Sequence, residues 1–186
     1  MSYKVWVFIA IFLFGIGLTL GFAVGLTLPG DIADFLAEDL AYLEQLSTML
    51  RPFQVSTAVF IFIRNASALL LSFIFSPILC LLPILALTAN GWLLAFISAL
   101  VIEEESLGVV LAGLLPHGIF ELPAIIIGEA AALSFGVMAM LALFKKERRN
   151  QFLPNLKRNL KYLIIALALL LPAAILETYV TPLLIS

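Results

Sequence analysis

Long apolar runs alternate with short breaks along this chain. The first covers residues 5–28, follows Lys4 and stops at Pro29-Gly30-Asp31. It exceeds the roughly 7–15 residues of a signal-peptide core and no small-residue cleavage site follows it, so it is expected to remain as a span. Two more runs, 53–75 and 78–102, are separated by Ser76-Pro77, and the second ends at Glu103, Glu104 and Glu105. Pro83 or the Asn90-Gly91 pair is an alternative break. The last run covers residues 162–185. Each is near the roughly 20 residues needed to cross a hydrocarbon core about 30 Å thick.

Two stretches depart from that pattern. In residues 31–50, Ile32, Phe35, Leu36, Leu40, Leu43, Leu46 and Leu50 recur at helical spacing among Asp34, Glu38, Asp39, Glu44 and Gln45. This predicts an amphipathic helix started by Asp31 and stopped by Arg51-Pro52. Its acidity disfavours anionic headgroups and places it on the protein or at the outer surface. Residues 106–144 are too many for one ordinary span and too few for two, and Pro116, Gly118 and Pro123 interrupt them. A re-entrant or broken half-helix over 107–115, followed by a span over 119–144, accommodates both facts. The expectation is an all-α polytopic membrane protein: about five transmembrane helices, the half-helix and the amphipathic helix, in one integral membrane domain over residues 1–186. Gly17, Gly21 and Gly25, four apart in the first span, form a face on which another helix can pack closely.

Composition agrees: 63% of residues are hydrophobic and 12% charged, against about 25% charged in soluble domains. With 10 Lys and Arg against 12 Asp and Glu, the chain lacks the basic footprint of a nucleic-acid binder. A lone Cys80 and a lone His117 exclude an internal disulfide and a clustered Cys/His zinc site. Lys145, Lys146, Arg148, Arg149, Lys157, Arg158 and Lys161 crowd into residues 145–161, which the positive-inside rule makes a cytoplasmic loop. Five crossings then put the N-terminus in the cytoplasm, and residues 31–50, the Glu103–Glu105 run and the C-terminus outside, in a multi-pass protein of the cell membrane.

The few polar side chains within the spans stand out. Arg64, Asn65, Asn90, His117, Glu121, Glu129 and Glu177 lie inside apolar runs, where a charge costs about 2.5–3.5 kcal/mol on insertion scales. Arg64, Asn65, Asn90, His117, Glu121 and Glu177 are expected to form a buried polar cluster, structural or functional, beside a turn at Pro116, Gly118 and Pro123. His117 and Glu121, four apart, share a face if that turn is helical, and a His–Glu hydrogen bond is expected there. Arg64 has an acid partner in Glu121 or Glu177. Glu129 shares a stripe with Gly128, Ala132 and Gly136 and points at a neighbouring helix. A metal would need Glu177 or Glu129 as a further ligand; no metal, cofactor or catalytic residue is assigned.

The run Leu115-Pro116-His117-Gly118-Ile119-Phe120-Glu121-Leu122-Pro123-Ala124, followed by an alanine-rich stretch to Gly136, resembles the signature of the stage II sporulation protein M family. Asn65 in IFIRNA, Asn90-Gly91 in TANGW, and Glu177, Thr181 and Pro182 in LETYVTP match in order. The paired asparagines common in that family stand here as Arg64-Asn65, and a frequent glycine as Ala132. The resemblance implies a polytopic membrane protein that, in sporulating bacteria, joins peptidoglycan-degrading enzymes in septal wall remodelling; relatives also occur outside spore formers, including in archaea.

Three functions are weighed. The first is a membrane scaffold that recruits partner proteins of the membrane or cell envelope, with the lipid bilayer as its surroundings. The second is a small transporter or channel component, which would need a homodimer to enclose a pathway. The third is an intramembrane hydrolase using a desolvated glutamate as base. No Ser-His-Asp arrangement, phosphate-binding glycine loop or nucleotide motif is present. Convergence of the polar residues into a closed knot favours the first; a cavity open to one face favours the others.

Overall fold

The computed structural model describes residues 2–27 and 51–185, and the regular elements among them are all helical. The amphipathic segment 31–50 lies outside the described residues. Among the described residues five helices are long and apolar enough to cross a membrane: α1 (Tyr3–Thr27), α2 (Val55–Phe75), α3 (Leu81–Glu104), α4 (Leu107–Phe144) and α5 (Arg149–Tyr179). A short α6 (Thr181–Ile185) follows a break at Val180.

Two boundaries correct the sequence expectation, and one holds, the break at Ser76-Pro77 between α2 and α3. Residues 107–115 are not a separate re-entrant element but the first turns of α4, a continuous helix of 38 residues that contains Pro116 and Pro123. A proline deletes one backbone donor and crowds the preceding turn, whereas a chain leaving the helix in a membrane would strand several polar groups at once. Continuing the helix is therefore the smaller penalty. The basic segment 145–161 is likewise mostly helical: Lys145 and a 3-10 turn (Lys146–Arg148) form the connection, and Arg149, Lys157, Arg158 and Lys161 belong to α5. Pro83 and Asn90-Gly91 break nothing, since both lie within α3, Pro83 in its first turn where no intrahelical donor is missed.

Contacts fix the directions of the helices. Along α1, Gly17 meets Thr88, Gly21 meets Trp92 and Gly25 meets Ala99, so α1 and α3 run parallel. Asn65, Ser72 and Ser76 meet Glu121, Glu129 and Gly136, so α2 and α4 are also parallel. Ala142 lies by Arg149 and Ser134 by Asn159, so α4 and α5 form an antiparallel hairpin. Directions thus alternate along the chain, as successive crossings require. At about 1.5 Å per residue, α4 is about 57 Å long, well beyond the roughly 30 Å hydrocarbon core, and the basic residues follow its end, in the connection and the first turns of α5.

The glycine face of α1 packs as expected. A Cβ added at Gly17 or Gly21 would strike the backbone of Thr88 or Trp92, and one at Gly91 would strike the backbone carbonyl of Phe14. Backbone-to-backbone approach of this kind is how helices bury surface when lipid offers no hydrophobic drive. α4 is the central helix: Ala130, Ala131 and Ala132 are fully buried, because α1, α2, α3 and α5 all contact it. Phe8 (71% exposed), Phe12 (68%) and Ile164 (63%) project outward, which suits lipid contact. At the other polar end, Asn159 donates to Ser134 (3.2 Å) and Asn155 (2.8 Å), and Arg158 also donates to Ser134 (3.3 Å). Tyr3 stacks on Tyr162 and donates to the Ile127 carbonyl at 2.7 Å, fastening the start of α1.

Candidate functional site

The helical register of α4 through Pro116 decides the site. Because the helix does not break, His117 and Glu121 are one turn apart on the same face, with Nε2 and Oε2 3.8 Å apart. That exceeds a hydrogen bond, so the expected His–Glu hydrogen bond is absent. Each residue is instead held through its other atom. Thr181 Oγ1 from α6 lies 3.3 Å from His117 Nδ1, and Asn65 from α2 donates to Glu121 Oε1 at 3.1 Å. Glu177, near the end of α5, completes the group: one donor atom each from His117, Glu121 and Glu177 lies within 4.8 Å of the others. Among the described residues, Nε2 of His117, Oε2 of Glu121 and the Glu177 carboxylate have no hydrogen-bond partner.

The three residues line a cavity of about 470 Å³ in the cleft between α3 and α4, with Phe14 of α1 also lining it. The walls are chiefly apolar, from Leu93, Leu94, Ile97, Val109 and Val110, with Asn90 and Ser98 of α3 as further polar lining. His117 lies about 15 Å along α4 from Leu107, within the span. Its side chain is 15% exposed and that of Glu121 22%, open to the cavity and not sealed.

The six residues expected to cluster divide. Asn65, His117, Glu121 and Glu177 converge. Arg64 is exposed and makes no ion pair within 4.0 Å among the described residues; it acts on Glu121 and Glu177 only through its longer-range positive charge. Asn90 lines the same cavity from α3 but donates to its own helix, at the Ala86 carbonyl (2.7 Å). Pro116, Gly118 and Pro123 are helical positions and form no turn; Gly118 is buried. Glu129 does point at a neighbouring helix, where Ser72 of α2 donates to it. Sequence reasoning missed Ser72 and gave Thr181 no partner. Spacing held a signal for both: Ser72 is two turns beyond Asn65 on α2, and Thr181 is one turn beyond Glu177.

Comparison with known sequences bears on the same residues. A family model for stage II sporulation protein M matches residues 7–182. The chain belongs to this family. The matched region covers all the helices of the site, from Phe14 to Thr181. The chain is also similar to an uncharacterised protein of Methanocaldococcus jannaschii, 33% identical over 86 residues, covering 46% of this chain and 48% of that protein. It thus spans about half the length of that curated relative. No solved structure matches.

Proposed function

We propose that the chain is the integral membrane component of a cell-envelope assembly, and that its working part is a ligand pocket centred on His117, Glu121 and Glu177. Family membership supports the first half. One observation carries the second: His117 and Glu121, which line the cavity, each make a hydrogen bond at one side-chain atom and leave Nε2 and Oε2 without one among the described residues. A purely structural knot would saturate both sides, because an unsatisfied polar group in an apolar setting is costly. Pockets with an apolar wall and a few convergent polar groups are the usual form of binding sites.

The pocket faces outward on this reading. The α4–α5 hairpin end holds the basic residues and is cytoplasmic by the positive-inside rule, and the pocket occupies the opposite half of α4. A through-route for transport has less support, since α4 beyond the pocket is enclosed at Ala130, Ala131 and Ala132.

A cysteine at Ser98 tests the pocket. Ser98 lines the cavity and bonds only the Leu94 carbonyl of its own helix, and the native Cys80 is buried. A membrane-impermeant thiol reagent should modify Ser98→Cys in right-side-out vesicles and not in inside-out ones. Modification by lipid-soluble reagents alone would overturn the pocket. For the assembly, crosslinking in native membranes should return defined envelope proteins; recovery of the chain alone would count against it.

A further inference from the structure

Building on the pocket reading, we infer that His117, Glu121 and Glu177 are the protein ligands of a divalent transition-metal site of the zinc class, with a coordination position open to the cavity.

The donor set points to that class. One imidazole nitrogen with two carboxylate oxygens suits zinc and its first-row neighbours, whereas magnesium and calcium take oxygen ligands. The spacing fits as well. Donors about 2.0–2.1 Å from a tetrahedral ion lie about 3.4 Å from one another. The His117–Glu121 pair is already at 3.8 Å, and the full triad lies within 4.8 Å. Side-chain rotations alone draw that triad in, since all three residues stand on helices whose backbones are held by packing.

The outer partners are those a metal site needs. Thr181 at Nδ1 of His117 turns Nε2 toward the group, and Asn65 at Oε1 of Glu121 turns Oε2 the same way. Metal-binding histidines and carboxylates are oriented by such contacts on their remaining atoms. Charge agrees. Among the described residues no Lys or Arg lies within 4.0 Å of these two carboxylates, and exposed Arg64 acts on them only at longer range. A divalent cation among them supplies the missing positive charge. Structural zinc sites are closed by four protein ligands, whereas a site with three keeps a position for water or another ligand. Here that position opens onto about 470 Å³, room for more than a water molecule.

The test uses the full chain in lipid nanodiscs, stripped of metal and titrated with Co²⁺ and Zn²⁺. The expected result is one metal per chain, with Co²⁺ giving visible bands of a four- or five-coordinate site that shift when azide is added. Glu177→Gln, which preserves size, should weaken binding at least 100-fold, and Asn65→Ala and Thr181→Ala should weaken it about 10–100-fold with stoichiometry unchanged. Thermal melting of each variant without metal separates lost ligation from lost folding. Metal uptake below one per chain, or uptake unaffected by Glu177→Gln in a folded variant, overturns the site. Labelling of Ser98→Cys from the outer side without metal uptake would sink the metal site and leave the pocket standing.

Discussion

Asn65 on α2 donates to Glu121 on α4 at 3.1 Å, across two parallel helices whose residues lie 56 positions apart in the chain. Two turns further along α2, Ser72 makes the corresponding donation to Glu129. The α2–α4 interface is therefore fixed by two amide- or hydroxyl-to-carboxyl contacts in register, one bordering the cavity and one sealed in the core.

The sealed contact should matter most for stability. Ser72→Ala leaves the buried Glu129 side chain without its donor, and a buried polar group so deprived costs about 1–3 kcal/mol. Glu129→Gln keeps an oxygen that can accept from Ser72 and should cost less. Thermal unfolding of the two variants in detergent checks the order; a larger loss for Glu129→Gln would contradict it.

Asn65 and Glu121 should be energetically coupled. Asn65→Ala and Glu121→Ala are expected to be less than additive in combination, with an interaction of about 0.5–3 kcal/mol for residues in direct contact. A double-mutant cycle on unfolding supplies the measurement. Additivity would mean the hydrogen bond contributes nothing beyond its two residues.

Glycines in α1 should divide by what faces them. Gly21→Ala drives a methyl into the Trp92 backbone, while Gly15→Ala meets nothing within 4 Å. Overpacking typically costs about 1–3 kcal/mol, and backbone has less freedom to yield than a side chain. Melting temperature should fall for Gly21→Ala and hold or rise for Gly15→Ala, where alanine also improves helix propensity.

Cys80 should react slowly with maleimides. It lies in the turn between α2 and α3, buried against Gly136, with its Sγ 3.7 Å from the Leu133 carbonyl. Burial pushes its thiol up from the ordinary cysteine value. The reactive thiolate is thus scarcer than in a free cysteine at the same pH, and alkylation at pH 7–8 should rise sharply only on unfolding. Fast modification of the folded chain would show that the turn opens.

Orientation is tested by reporter fusions. A fusion between α4 and α5 near Lys146 should report the cytoplasm, and one at Glu105 the outside. The correction to 107–115 leaves this unchanged, because a re-entrant segment and the first turns of one helix contribute the same parity.

Much of this was legible in the chain. The crossings could be counted from run length, since lipid satisfies no backbone polar group and forces each long apolar run into a helix. The glycine spacing of α1 located a contact face, because a missing side chain has the same steric meaning wherever the partner lies. His117, Glu121 and Glu177 stand out in the chain because polar groups in apolar runs are expensive. Pro116 and Pro123 misled for a related reason: their local preference for a break lost to the larger demand that the backbone stay paired.

Partner choice was not legible. Arg64 looked like the natural mate of a glutamate, yet the rotation of α2 turns Asn65 toward Glu121 and leaves Arg64 exposed. Asn90 reached the same cavity but bonded its own helix. Run length and composition constrain each helix by itself, through its own transfer from water to lipid. Which faces meet depends on the pairing and rotation of helices far apart in sequence, and only their packing set His117, Glu121 and Glu177 around one cavity.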